Sequence, residues 1–185
     1  MDAIRNDKHY TYADYASWDT DDRYELIDGV AYMMSPAPGR RHQGIQFNLS
    51  LQIGNFLKGK TCRAFAAPFD VRLDAAHDDD TVVQPDIVVI CDRSKLDDKG
   101  CNSAPDLVIE ILSPSSLQRD VLLKFNKYLQ AGVREYWVVD PDRKTASVHV
   151  LDGGRYYTTV YGETSTVPVH VLEGCTVSLP DVFAE

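Results

Sequence analysis

The sequence predicts a mixed α/β fold, because Val/Ile-rich runs typical of strands are interrupted by stretches of helical periodicity. Residues 82–90 and 105–112 are near-continuous apolar runs, as in central strands that are covered on both faces. Residues 42–57 instead repeat apolar side chains at helical spacing, which predicts an amphipathic helix. The chain has no linker, low-complexity stretch or internal repeat, so we expect residues 1–185 to form one domain.

In the N-terminal half, the clearest local signal is a two-residue turn. Asp28-Gly29 separates two apolar tetrapeptides at 24–27 and 30–33, which predicts a β-hairpin. A short helix over residues 11–18 is expected before it. Beyond the hairpin we expect a loop at 35–39, the helix at 42–57 with Ile45, Leu49, Ile53 and Phe56 on one face, a strand-like segment at 63–73, an acidic turn at 78–80 and a strand at 82–90.

In the C-terminal half, a strand is followed by a second helix. The apolar run at 105–112 ends where Ser115 and Gln118 fit a capping box that starts a helix. Gly132 is suited to end that helix. A strand at 135–140 and a hairpin with strands at 146–151 and 156–160 complete the expected elements.

Charge is distributed unevenly along the chain. The formal net charge of −9 argues against a protein that coats nucleic acid or anionic lipid non-specifically. Residues 39–63 and 118–144 are nevertheless net basic, at +5 and +2, and they flank residues 69–110, at −7. A protein that needs a divalent cation and a polyanion would have this layout, although a solvated surface with randomly placed charges would give it too.

No segment of the sequence is typical of export or of membrane insertion. The N-terminus lacks the apolar run of a signal peptide, and the run at 87–91 is far too short to span a membrane. The cysteines, which show neither a CxxC pair nor zinc-ligand spacing, are Cys62, Cys91, Cys101 and Cys175. We therefore expect reduced thiols in a cytoplasmic protein, and neither a disulfide framework nor a metal site with cysteine ligands.

Two carboxylates stand in segments that otherwise look like buried strands. Asp86 and Glu110 would each incur a large desolvation cost unless they were paired or bound to a cation. From neighbouring strands they could share one Mg²⁺, which accepts two carboxylates together with waters and phosphate oxygens. Asp106 shares a face with Glu110 but lies about 13 Å along the strand, too far for one ion. The alternative is that each carboxylate caps a backbone amide or pairs with a base.

A lysine beside these carboxylates would offset charge that develops on a phosphate. Lys124 and Tyr128 are four residues apart on the helix after Glu110, so they form one stripe. If that stripe faces the strands, Lys124 reaches the carboxylates. The alternative is a surface ion pair between Lys124 and Asp120, which would be worth about 0.3–0.5 kcal/mol.

These residues belong to a pattern that resembles a known family. The pattern includes Tyr24-Glu25-Leu26-Ile27-Asp28-Gly29 with His42, Gln84-Pro85-Asp86-Ile87-Val88-Val89, residues 104–115, Arg119-Asp120 with Lys124 and Tyr128, and residues 131–141. It is similar to the putative restriction endonuclease family, also called the Uma-two family, within the PD-(D/E)XK nuclease superfamily. The resemblance spans most of the chain, and the combination of motifs is specific.

The resemblance implies a restriction-endonuclease-like core, in which a mixed central sheet is flanked by helices and hairpins are added at both termini. It implies a Mg²⁺-dependent endonuclease that hydrolyses phosphodiester bonds of DNA, with Mn²⁺ able to replace Mg²⁺. Asp86 and Glu110 would be catalytic residues and metal ligands, supported by Glu25, His42 and Asp120. DNA is the implied partner, and a homodimer would suit the cutting of two strands.

One position departs from the superfamily pattern. The lysine that should stand two residues after the second acid is replaced by Leu112. Some members of the superfamily carry this lysine on the following helix, and Lys124 is the residue that would match as the third catalytic residue. The alternative function is a catalytically inactive nucleic-acid-binding or protein-interaction module on the same fold. A serine hydrolase is disfavoured, because the sequence contains no Gly-x-Ser-x-Gly elbow.

Overall fold

The computed structural model describes residues 8–34, 38–113 and 118–184, with the backbone alone of residues 118–120. Its helices are α1 (Tyr12–Tyr15), α2 (Arg40–Leu57), α3 (Gln118–Ala131) and α4 (Leu179–Val182), with a 3₁₀ turn at Arg93–Lys95. Its strands are β1 (Tyr24–Ile27), β2 (Val30–Met33), β3 (Arg63–Ala66), β4 (Asp70–Arg72), β5 (Val82–Val83), β6 (Ile87–Ile90), β7 (Leu96–Asp97), β8 (Gly100–Cys101), β9 (Leu107–Ile111), β10 (Glu135–Asp140), β11 (Thr145–Asp152), β12 (Arg155–Tyr161), β13 (Thr166–Pro168) and β14 (Thr176–Ser178). Within these ranges, no helix is long and apolar enough to cross a membrane.

Six strands form a mixed central sheet, in the order β12-β11-β10-β9-β6-β3. Strands β9 and β10 run parallel, and the other neighbouring pairs are antiparallel. The parallel pair is connected through α3, since parallel neighbours need a crossover that is usually helical. The C-terminal hairpin β11–β12 is present as predicted, and it extends the edge of this sheet.

The N-terminal hairpin belongs to a second six-stranded sheet, in the order β2-β1-β5-β4-β8-β7. Its bounds are those predicted from the sequence, with Ile27 opposite Val30 across the turn. Asp28 and Gly29 have φ angles of 52° and 72°, as a two-residue turn of type I′ requires. Strands β13 and β14 form a separate two-stranded ladder.

Helices cover both faces of the central sheet. Ile45 and Leu49 of α2 belong to one hydrophobic cluster with Trp137 of β10. Tyr136, the preceding residue, lies in a second cluster with Tyr128 of α3. Neighbouring residues of a strand point to opposite faces, so both aromatic side chains of β10 are fully buried. Both side chains therefore belong to the core and offer no exposed surface to a base.

Two segments that were expected to be single strands are each divided between the two sheets. Residues 82–90 form β5 and β6, and residues 63–73 form β3 and β4. A proline lies at each break, Pro85 and Pro68, and proline cannot donate a hydrogen bond to a sheet ladder. The first break leaves Asp86 immediately before β6, where the chain passes from one sheet to the other.

The bounds of both long helices agree closely with the sequence pattern. Helix α2 begins two residues before the predicted start and ends at Leu57, as expected. Helix α3 ends at Ala131, and Gly132 follows with a φ of 82°, in the left-handed region that favours glycine. The capping box expected at Ser115 lies outside the described residues.

The expectation of four reduced thiols is wrong for two of them. Cys62 and Cys91 form a disulfide. Strands β3 and β6 are antiparallel with Arg63 opposite Ile90, so the residues just beyond this pair lie face to face. Pairing of this kind depends on strand register, which cysteine spacing in the sequence does not indicate. Cys101 and Cys175 are free and buried, in agreement with the prediction.

Candidate active site

A cleft of about 980 Å³ opens beside the edge where the two sheets meet. Its walls are the hairpin β1–β2, the N-terminal part of α2 and part of α3, and the ends of β6 and β9 contribute to its floor. Five of the six predicted site residues line it, namely Glu25, His42, Asp86, Glu110 and Lys124. The side chain of the sixth, Asp120, lies outside the described residues.

Asp86 is held between the start of β6 and the end of β9. Its carboxylate Oδ2 accepts a hydrogen bond from the backbone N–H of Ile111 at 2.7 Å. The same oxygen lies 3.3 Å from Nε2 of His42, which also contacts the Ile111 carbonyl at 3.1 Å. The Asp86 carbonyl accepts a hydrogen bond from Nε2 of Gln46 at 2.8 Å. Helix α2 therefore fixes Asp86 through two side chains one helical turn apart.

Glu110 faces α3 because of the alternation of side chains along β9. Its neighbours Ile109 and Ile111 pack into the cluster on the α2 face, which leaves Glu110 on the opposite side. Its Oε1 accepts hydrogen bonds from Nζ of Lys124 at 3.0 Å and from the hydroxyl of Tyr128 at 2.7 Å. The stripe of Lys124 and Tyr128 on α3 thus faces the strands and meets Glu110.

Lys124 bridges two carboxylates that come from different sheets. Its Nζ donates to Oε1 of Glu25 at 2.8 Å as well as to Glu110. Glu25 also accepts the backbone N–H of Gln84 at 2.8 Å. All three charged side chains are at least 85% buried, so the ion pairs are shielded from solvent. The lysine that is missing from β9 is replaced in space by one from the next helix.

Burial and charge shift the pKa values of three groups in the cleft. Burial raises the pKa of Glu110 to about 7; Lys124 opposes this rise, whereas Asp86 and Glu25 add to it. Burial alone would lower the pKa of Lys124, but the carboxylates of Glu110 and Glu25 hold it well above its ordinary value. Burial likewise disfavours the charged form of His42, yet the hydrogen bond and charge of Asp86 raise its pKa. The ammonium therefore stays charged, whereas Glu110 titrates close to neutrality.

A second layer of polar side chains, not singled out from the sequence, supports Glu25 through Gln84. Nε2 of Gln84 donates to Oδ1 of Asp70 at 2.8 Å and to the hydroxyl of Tyr15 at 3.0 Å. Its Oε1 accepts a hydrogen bond from Nε of Arg23 at 3.0 Å. These residues come from three separate segments, so no spacing in the sequence could have grouped them.

Unpartnered polar atoms concentrate in the cleft. Four buried side-chain polar atoms of the described residues lack a hydrogen-bond partner, and three of them belong to residues that line the cleft: His42 Nδ1, Ser50 Oγ and Tyr136 OH. Buried polar groups in native proteins are nearly always satisfied, by protein or by ordered water. These three atoms are therefore available to hydrogen-bond water or a ligand in the cleft.

Carboxylate oxygens, which Asp86 and Glu110 both bring to the cleft, are the ligands that Mg²⁺ prefers. The contacts described for Asp86 fall on Oδ2 and those for Glu110 on Oε1, and both residues line the same cleft. No group of three or more His, Cys, Asp or Glu residues in the described part of the chain is arranged to hold a metal. Mg²⁺ does not need such a group, because one or two carboxylates with waters and phosphate oxygens suffice.

Comparison with known proteins agrees with the observed fold. No curated protein matches the chain significantly. The structure is similar to the crystal structure of a putative nuclease belonging to DUF820 from Anabaena variabilis ATCC 29413. The two share 27% sequence identity with a TM-score of 0.76, over 94% of this chain and 97% of the other. The restriction-endonuclease-like α/β fold that the sequence predicts is thereby confirmed. The family described as Uma2, putative restriction endonuclease, matches residues 12–180, and the chain therefore belongs to that family.

Proposed function

We propose that this chain is a nuclease that hydrolyses phosphodiester bonds of DNA with a divalent cation held by Asp86 and Glu110. Mg²⁺ is the expected ion, and Mn²⁺ should replace it. The observation that carries the proposal is the burial of the Lys124 ammonium against Glu110, in the cleft that Asp86 also lines. Membership of a family described as putative restriction endonucleases supports the same class of reaction.

Each residue of the cleft has a distinct role in this proposal. Asp86 and Glu110 supply the oxygen ligands, and the cation, when bound, would polarise the phosphate and lower the pKa of a bound water. Lys124 offsets negative charge that develops on the phosphate oxygens during attack. Glu25 orients the Lys124 ammonium, and His42 orients the Asp86 carboxylate.

The alternative is an inactive binding module on the same fold, for which Leu112 was the reason. The position of Lys124 weakens that reason, because an ammonium group reaches Glu110 from α3 at 3.0 Å. A catalytic lysine does not have to come from the strand itself, provided that its charge lies beside the carboxylates. We therefore favour an active enzyme.

The experiment is a cleavage assay on supercoiled and linear DNA with Mg²⁺, with Mn²⁺ and with EDTA. Asp86→Asn and Glu110→Gln should each lower the rate by about 100-fold or more, in line with removal of a key electrostatic group. Asp106→Asn is the matched control, since Asp106 follows a proline as Asp86 does but hydrogen-bonds Cys91 and Arg134 outside the cleft. Full cleavage by either site variant would contradict the proposal, and DNA binding without cleavage by the wild type would favour the inactive module.

Concerted cutting of both strands would use two copies of this site, one for each strand. We therefore propose a homodimer as the form that acts on duplex DNA. Sedimentation velocity in the presence of a short duplex would test this, with a particle of two chains as the expected result. A single chain per duplex, together with the release of nicked product only, would contradict it.

A further inference from the structure

Two large apolar side chains are exposed at the rim of the proposed active site. Phe47 of α2 is 66% exposed and Met33, at the end of β2, is 65% exposed. Both line the cleft that contains the carboxylates. Exposed apolar surface rimmed by polar residues is typical of ligand-binding grooves.

Both residues follow directly in sequence a residue that contacts or pairs with a candidate site residue. Phe47 follows Gln46, whose side chain donates to the Asp86 carbonyl. Met33 follows Tyr32, which pairs with Glu25 across the hairpin β1–β2. The apolar rim is therefore built from the same two elements, α2 and the hairpin, that position the site.

The charged side chains of the cleft by themselves offer little attraction to the phosphates of DNA. Glu25, Asp86 and Glu110 provide three acids, against two bases, Arg23 and Lys124. Both bases are already engaged, Arg23 with Gln84 and Lys124 with two carboxylates. Neutralisation of phosphates, which dominates binding to duplex DNA, is therefore weak within this cleft.

We propose that Phe47 and Met33 contact unpaired bases, so that the preferred substrate is single-stranded DNA or a duplex with an unpaired segment. The inference rests on the nuclease function proposed above and names its substrate class. Stacking of a base on an aromatic ring tolerates any sequence and supplies affinity that the cleft charges do not. Bases inside an intact duplex are stacked on one another, and a strand with exposed bases avoids the cost of unstacking them.

The test measures binding of fluorescent DNA strands of about 15 nucleotides, a length that spans a typical single-strand site. Anisotropy is recorded in EDTA and in Ca²⁺, for a single strand, for its duplex and for a strand of abasic nucleotides with the same phosphates. Phe47→Ala should weaken binding of the single strand by about 5- to 150-fold, as expected for one lost stacking contact. Phe47→Trp should restore it, and Met33→Ala should weaken it less than Phe47→Ala does.

Two controls separate base contact from a general loss of surface. The abasic strand should bind wild type and Phe47→Ala equally, because it keeps the phosphates but offers nothing to stack. Leu51→Ala should leave all affinities unchanged, since Leu51 is one turn along α2 and 49% exposed but lies outside the cleft. Both Phe47 and Leu51 are exposed, so neither variant should impair folding.

The inference and the nuclease proposal can fail separately. If the wild type cleaves DNA but Phe47→Ala binds and cleaves single strands like the wild type, the base contact is refuted and the nuclease stands. Tighter binding of the duplex than of the single strand would also refute it. If Phe47→Ala loses single-strand binding while no variant or ion supports cleavage, the base contact stands and the nuclease proposal fails.

Discussion

The ammonium of Lys124 lies 3.0 Å from the carboxylate of Glu110, although the two residues belong to different elements and are fourteen positions apart. Strand β9 turns Glu110 away from the α2 face, and the following helix α3 returns Lys124 to the same point. Glu110 and Lys124 thus belong to consecutive elements of the chain, β9 and α3. Glu25 joins it from the second sheet.

Removal of the Lys124 charge should be costly for stability as well as for activity. Lys124→Met leaves two buried carboxylates without their cation, and breaking a buried ion pair costs about 3–5 kcal/mol. We expect this loss in the free energy of unfolding, measured by urea denaturation, together with loss of cleavage. Lys127→Met is the control, because Lys127 pairs with the exposed Asp28 and should lose less than about 1 kcal/mol. Equal losses in the free energy of unfolding of the two variants would show that the buried ion pairs of Lys124 contribute no more to stability than the exposed pair of Lys127.

The raised pKa of Glu110 predicts a pH-dependent stability. The folded protein holds the Glu110 proton more tightly than the unfolded chain does, since its pKa is about 7 compared with an ordinary value of 4.5. The contribution of Glu110 to stability is therefore greatest below pH 4.5, declines as the pH rises to about 7, and is constant above that. The free energy of unfolding of the wild type, relative to Glu110→Gln, should fall between pH 5 and pH 7. Parallel profiles for the two proteins would show that the carboxyl titrates normally.

The side-chain hydrogen bonds of Gln84 should stabilise the segment whose backbone N–H binds Glu25. Gln84→Ala removes a buried amide that hydrogen-bonds Arg23, Asp70 and Tyr15, and each such hydrogen bond contributes about 0.5–1.5 kcal/mol. We expect a loss of that size in thermal or urea unfolding. The matched control is Gln130→Ala, at an exposed position of α3, which should change stability by less than about 0.5 kcal/mol. A wild-type melting curve for Gln84→Ala would exclude this role.

Local signals predicted much of the fold. The turn at Asp28-Gly29 determined both strands of the first hairpin, because its positive φ angles permit one register. Helix α2 and strand β10 were likewise predicted from the sequence, because the spacing of apolar residues follows the pattern of burial. The division of residues 82–90 between two sheets was not predicted. Pro85 alone did not indicate a break, because proline also occurs within continuous edge strands.

The candidate site was predictable where a charged residue interrupts an apolar run of the sequence. Asp86 and Glu110 stood out as charges within apolar runs, and both line the cleft. For Lys124 the sequence offered two candidate partners, Asp120 on its own helix and the carboxylates of the strands, and gave no means of choosing between them. Gln84 belonged to the family pattern, but a polar residue before a proline is ordinary and did not by itself indicate a role. Contacts between segments that are distant in sequence depend on strand register, which only the folded structure supplies.

The disulfide between Cys62 and Cys91 should stabilise the strand pair that leads to Asp86. The bridge closes a loop of 29 residues, for which the loss of chain entropy in the unfolded state corresponds to about 3–4 kcal/mol. Cys62→Ser should therefore lower the free energy of unfolding by about that amount under oxidising conditions. In a reducing buffer the difference should disappear, because the wild type then loses the same constraint. Peptide mapping without reduction should recover the two cysteines in one linked fragment. Free thiols at both positions in the oxidised protein, or a Cys62→Ser loss that persists in the reducing buffer, would show that packing and not the bridge accounts for the stability.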